Sequence, residues 1–110
     1  MIKVSLLFPN SESSKFDMDY YCSHHIPMLQ RKLGRACRRV AVEEGLVVGS
    51  QSSPPAFIAM GHLYFESVEA FQTAFNPHLA AIMEDLPNYT NIRPMIQISA
   101  IKLQRIRVRQ

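Results

Sequence analysis

Ala56-Phe57-Ile58-Ala59-Met60-Gly61-His62-Leu63-Tyr64-Phe65, followed at once by Glu66-Ser67-Val68-Glu69-Ala70-Phe71, decides the fold. Its first ten residues alternate. Phe57, Ala59, Gly61, Leu63 and Phe65 fall on one side, and Ile58, Met60, His62 and Tyr64 on the other. A period of two with this β-branched and aromatic content predicts a strand over 56–65. Ser67 then has the side chain to cap a helix, and Glu69 sits in the first turn where the helix dipole favours an acid. Val68, Phe71 and Phe75 continue at helical spacing.

The pattern extends in both directions. Residues 2–8 alternate, with Ile2, Val4, Leu6 and Phe8 opposite Lys3, Ser5 and Leu7, and Pro9-Asn10 ends that strand before a polar loop from Ser11 to Ser14. Asp17 is placed to cap a helix over about 18–33 that closes at Gly34, and Pro27 inside it predicts a kink or restart, because its ring clashes with the carbonyl of Ser23. Residues 36–48 carry Val40, Val42, Leu46, Val47 and Val48 and predict a strand bulged near Glu43-Glu44-Gly45, with 49–55 as a connection. On the other side, Asn76-Pro77 reads as a fresh N-cap and N1 pair. Leu79, Ile82, Met83 and Leu86 form an apolar stripe that Pro87 stops. A last strand is predicted over about 92–103, with Ile92, Pro94, Ile96, Ile98 and Ala100 on the side opposite Met95, Gln97, Ser99 and Ile101.

The order is β-α-β-β-α-β, which specifies an α+β, ferredoxin-like fold: a four-stranded antiparallel sheet with both helices on one face. The 110 residues form one domain, 1–110, with its core over about 2–101 and a basic extension over 102–110. No apolar run is long enough to span a membrane, and the immediate strand pattern at Met1-Ile2-Lys3-Val4 speaks against a signal peptide, so a cytoplasmic protein is expected. The net charge is +3 from 12 basic and 9 acidic residues. The excess sits in Arg31, Lys32, Arg35, Arg38 and Arg39 and in Lys102, Arg105, Arg107 and Arg109, read as a solvated surface rather than a nucleic-acid site. The alternating tail from Arg105 to Arg109 suits an exposed edge strand. Cys22 and Cys37 are expected as free thiols. Cys22 and His25 stand at i and i+3, but two candidate ligands do not complete a metal site, and none is expected.

The sheet face away from the helices carries Ser5, Leu7, Met60, His62, Tyr64, Gln97 and Ser99. That mixture is too apolar for a free surface and too polar for a dry core. Two readings fit it: two such sheets enclosing a small-molecule cavity, or an ordinary dimer interface without a ligand.

Three stretches together resemble the EthD family. They are Phe16-Asp17-Met18-Asp19-Tyr20-Tyr21 with His24-His25-Ile26-Pro27-Met28, then Gly61-His62-Leu63-Tyr64-Phe65 with Ser67-Val68-Glu69-Ala70-Phe71, and finally Pro87-Asn88-Tyr89-Thr90-Asn91-Ile92-Arg93-Pro94. The resemblance implies a homodimer in which two ferredoxin-like sheets pair into a dimeric α+β barrel. The family takes its name from an association with ethyl tert-butyl ether degradation. Proteins sharing the barrel include methylmuconolactone isomerases and small cofactor-independent monooxygenases, so the fold does not fix the chemistry.

His25 is the position that matches the family's histidine before the proline. Tyr21 lies four residues earlier on the same helical face, suited to orient the ring or polarise a carbonyl. His62 is the second candidate base, with Ser5, Leu7, Met60, Tyr64, Gln97 and Ser99 as contacts for a small apolar, oxygen-bearing ligand and Tyr89 at a mouth of the barrel. Glu43-Glu44 and Glu84-Asp85 read as solvent-facing. No phosphate-binding glycine loop, dinucleotide fingerprint or nucleophile elbow is present, and no cofactor is expected. Cofactor-independent isomerisation, dehydration or oxygenation by histidine proton transfer is one expectation. The other is a non-catalytic carrier or accessory dimer in a degradation pathway.

Overall fold

The computed structural model describes residues 1–49 and 53–107. Residues 50–52 of the 49–55 connection and residues 108–110 of the basic extension lie outside the described residues. The elements are β1 (Ile2–Pro9), α1 (Met18–Tyr20), a π turn (Tyr21–His25), α2 (Ile26–Leu33), a 3-10 turn (Gly34–Ala36), β2 (Arg39–Glu44) and β3 (Phe57–Phe65). They continue with α3 (Val68–Phe75), a 3-10 turn (Asn76–His78), α4 (Leu79–Glu84), a 3-10 turn (Leu86–Asn88) and β4 (Met95–Ala100). The strands form one sheet in the order β2-β3-β1-β4, antiparallel at every step, with both helical arms on one face.

Register sorts the two faces as the alternation requires. Ser5 stands opposite His62 and Gln97, Leu7 opposite Met60 and Met95, and Lys3 opposite Tyr64 and Ser99. These side chains therefore share the uncovered face. Val4, Phe8, Ala59, Leu63 and Phe65 go to the covered face and are buried there under Ile26, Leu29, Leu33, Phe71, Phe75 and Ile82. Phe8, Phe16, Tyr21 and Tyr89 build an aromatic cluster at one end, with neighbouring centroids 4.9 Å apart for Phe8–Phe16, 5.0 Å for Phe16–Tyr21 and 4.9 Å for Tyr21–Tyr89. Their mixture of edge-on and tilted contacts suits the ring quadrupoles.

The first helical arm shows how local sequence sets up geometry. Asp17 caps it by accepting from the Tyr20 N–H at 3.0 Å. The kink expected at Pro27 is resolved upstream of the proline. Ile26 donates its N–H to Tyr21 O, five residues back, so the backbone widens into a π turn just where the ring needs room. Ser23 Oγ takes up the carbonyl of Asp19 at 2.5 Å. Gly34 ends the arm with φ 62°, a conformation that favours glycine. Ser67 caps α3 by accepting from Ala70 N–H at 3.0 Å.

Other boundaries differ from the sequence reading. The second strand is not 36–48 and carries no bulge. It begins at Arg39, after a 3-10 turn, and pairs with β3 in unbroken register to Glu44. Gly45 then passes so close to the Phe57 carbonyl and Pro55 that a Cβ has no room, and Leu46, Val47 and Val48 leave the sheet exposed. The last strand is Met95–Ala100 rather than 92–103. Its ladder ends where its partner does, at Ile2↔Ala100, and Pro94 has no N–H to extend it the other way. Residues 102–107 therefore form no edge strand. Asn76 does not cap a fresh helix: it keeps helical dihedrals, and a 3-10 turn carries the chain directly into α4.

Candidate functional site

Between the covered face and the helices lies a cavity of about 210 Å³, walled mainly by Leu6, Leu29, Phe75, Leu79, Ile82, Met83, Leu86, Pro94 and Ile96. At ~30 Å³ per water it has room for roughly seven waters, the scale of a small organic molecule. Four polar side chains reach its lining: Tyr21, His25, Tyr89 and Arg93. The apolar stripe of Leu79, Ile82, Met83 and Leu86 forms part of this wall. Within it Leu79 and Met83 are 44% and 47% exposed, while Ile82 is buried. Ile96 shares the covered face with Leu6 but sits on an edge strand and is 58% exposed.

The π turn presents Tyr21 and His25 to this cavity. Both are buried and their rings stack, with centroids 5.4 Å apart and planes 14° apart. Tyr89 closes on the same His25 ring at 4.6 Å. Gly61, in the middle of β3, leaves room for the Tyr21 hydroxyl, which lies where a Cβ would stand.

His25 Nδ1 lies 2.8 Å from Asp85 Oδ2. Asp85 also accepts from the Tyr20 hydroxyl at 2.7 Å and from Asn88 Nδ2 at 2.9 Å. Burial raises the Asp85 carboxyl, but the three donors outweigh it and hold the group below the usual carboxylate range. Burial pushes His25 down from its ordinary value and Asp85 opposes this only in part, which favours the neutral imidazole. A neutral ring beside a carboxylate carries its proton on Nδ1 and donates it to Asp85, which leaves the lone pair on Nε2. Among the described residues Nε2 makes no protein hydrogen bond. No buried polar side-chain atom is left without a partner, so this nitrogen is open to the cavity rather than sealed. The Tyr21 and Tyr89 hydroxyls are likewise uncommitted, and burial raises both, which keeps them protonated as donors.

The sequence candidates thus divide between the two faces of the sheet. Tyr21, His25 and Tyr89 meet in the cavity, and Tyr89 belongs to its wall and to the aromatic cluster. Ser5, Leu7, Met60, His62, Tyr64, Gln97 and Ser99 lie on the uncovered face, on the far side of the sheet from His25. His62 there has both nitrogens engaged, Nδ1 with Ser5 Oγ at 2.8 Å and Nε2 with Glu43 Oε1 at 3.1 Å. Arg39 stacks over Tyr64 at 5.2 Å, and Gln97 donates to Ser99 at 3.1 Å. The reading of Glu84-Asp85 and Glu43-Glu44 as purely solvent-facing is corrected: one acid of each pair holds a buried histidine. Asp85 and Arg93 were the residues sequence reasoning missed. Asp85 is 60 positions from His25, and no spacing rule connects them. Cys22 and Cys37 are free thiols, and Cys22 is exposed and directed at Met18 Sδ, 3.8 Å away, not grouped with His25.

Residues 10–92 match the EthD domain. The chain belongs to the EthD family. An EthD-like protein from Ralstonia eutropha JMP134 is 42% identical, with 94% of each chain covered and a TM-score of 0.90. An ethyl tert-butyl ether degradation (EthD) family protein from Bacillus halodurans C-125 is 22% identical, with 92% of this chain and 98% of that one covered and a TM-score of 0.61, a likeness of fold alone. No curated protein matches the sequence. No helix in the described residues is long and apolar enough to cross a membrane.

Proposed function

We propose that this EthD protein binds a small, largely apolar, oxygen-bearing organic compound between its sheet and helices and moves a proton on it without an organic cofactor. The observation that carries this reading is His25: its ring is held by Asp85 through one nitrogen while the other faces an apolar cavity. Such a base suits removal of a proton from carbon α to a carbonyl. The electron pair passes to the carbonyl oxygen, and the protonated hydroxyl of Tyr21 or Tyr89 supports the developing charge by hydrogen bonding. Return of the proton to another carbon gives isomerisation, and its return to a departing hydroxyl gives dehydration. Oxygenation of the same carbanion would require dioxygen as a second reactant. The test is exchange of α-protons for deuterium in D2O, followed by NMR over a panel of small cyclic ketones and lactones. Enzyme-dependent exchange that vanishes in His25→Ala supports the reading. Saturable binding with no exchange makes the protein a carrier.

The homodimer belongs to the same proposal. Leu7, Ile58, Met60 and Met95 give the uncovered sheet face an apolar content that pairing with a second copy would bury. Light scattering is expected to report twice the subunit mass at micromolar concentration, and a charge placed in the middle of that face, Leu7→Glu, is expected to yield monomers. A wild-type monomer at that concentration contradicts the pairing.

A further inference from the structure

We infer that the compound taken by this cavity carries a carboxylate, or an equivalent anion, and that Arg93 is the residue that selects it. This rests on the cavity reading above and adds the substrate's charge. Arg93 is the one permanently charged side chain in the cavity lining, at its exposed edge, next to Pro94 and near Ile96. No carboxylate shares that lining. The acid associated with the site, Asp85, already serves Tyr20, His25 and Asn88. Among the described residues the ion pairs are His25–Asp85, Arg38–Glu66 and His62–Glu43, so Arg93 has no counterion of its own. A guanidinium without an anion at the edge of an apolar chamber attracts one, and its planar fork fits a carboxylate with two parallel hydrogen bonds.

The backbone that carries Arg93 is fixed in advance. Thr90 Oγ1 donates to Lys15 O at 2.6 Å and accepts from Ile92 N–H at 3.1 Å. Asn91 accepts from Lys15 N–H and donates to Ser13 O, each at 2.8 Å. Ile92 is buried and Pro94 restricts the residue before it to extended dihedrals. Thr90 and Asn91, just ahead of Arg93, are thereby tied to Ser13 and Lys15, in the loop that leads into the helical arm bearing His25. Leu79, Met83 and Ile96 line the same cavity as Arg93 and His25, so a ligand whose anion is held by Arg93 has apolar side chains there for its body. The fixed backbone reduces the ordering that binding requires.

Calorimetric titration of 4-methylbenzoate and of its neutral isostere 4-methylbenzamide tests this. Wild type is expected to bind the acid at least ~10-fold more tightly than the amide, equivalent to about 1.4 kcal/mol. Arg93→Gln is expected to bring the two affinities together by weakening the acid alone, and Arg93→Lys to keep part of the preference. Equal binding of both compounds by wild type, or a preference that survives Arg93→Gln, overturns the role of Arg93 while leaving the cavity reading intact. Failure of both compounds to bind contradicts both readings.

Discussion

His25→Ala is expected to lower α-proton exchange by about 10²–10⁴-fold, the usual contribution of a positioned general base, and to leave the fold standing. Removal of the imidazole still leaves Asp85 with hydrogen bonds from Tyr20 and Asn88, so no buried carboxylate is abandoned. The pH profile carries a sign. The base must be neutral, and burial holds His25 below its ordinary value near 6.5. Exchange by wild type should therefore be level through neutral pH and decline only on the acid side, with a midpoint below 6.5. Asp85 raises His25 through its hydrogen bond and its charge, so Asp85→Asn should shift that midpoint further toward acid as well as slow the reaction. A merely structural role for Asp85 would leave the midpoint where it is. Stopped exchange in wild type above pH 6.5, or equal rates for wild type and His25→Ala, contradicts the assignment.

Gly61→Ala is expected to destabilise the protein by about 1–3 kcal/mol, the range for overpacking a filled interior. A methyl group at this position occupies the place of the Tyr21 hydroxyl, and the backbone of β3 is held on both sides by β1 and β2. Tyr21 is 1% exposed and packs against Phe8, Phe16, Tyr89 and His25, so its ring cannot shift without moving the rings stacked on it. The substitution should disturb the stacked His25 along with stability. Urea unfolding gives the free energy. Recovery of stability in Gly61→Ala combined with Tyr21→Phe, which removes the opposed oxygen, would locate the clash at that atom. A single Gly61→Ala variant as stable as wild type contradicts this close approach.

The alternation in β3 and β1 made the sheet and its covered face legible, because a period of two leaves no choice once one side is apolar. Asp17, Gly34 and Ser67 were legible for the same local reason: each cap is settled within a few residues. The ends of β2 and β4 were not, since a strand stops where its partner stops or where a backbone passes close, as Phe57 does at Gly45. His25 stands out through the resemblance to the EthD family's histidine before the proline, and Tyr21 through its helical spacing from it. Their setting does not, because the side chains that complete it come from distant segments. Asp85 arrives from the end of α4 and Arg93 from the approach to β4. Composition alone does not separate the two faces: Ser5, His62 and Glu43 satisfy one another on the uncovered face, while the nitrogen without a protein partner belongs to the histidine on the other side. The apolar stripe of α4 was read correctly as a stripe, but spacing alone does not distinguish a wall from a packed core.

Nitrogen-15 NMR of the imidazole rings tests the central claim most directly. With His25 assigned by its absence in a substituted variant, the ring should be a neutral Nδ1–H tautomer at pH 7, with an unprotonated Nε2, and should titrate below 6.5. An Nε2–H tautomer, or a titration above 6.5, would mean that the nitrogen facing the cavity is not a free base, and the proposed chemistry would lose its foundation.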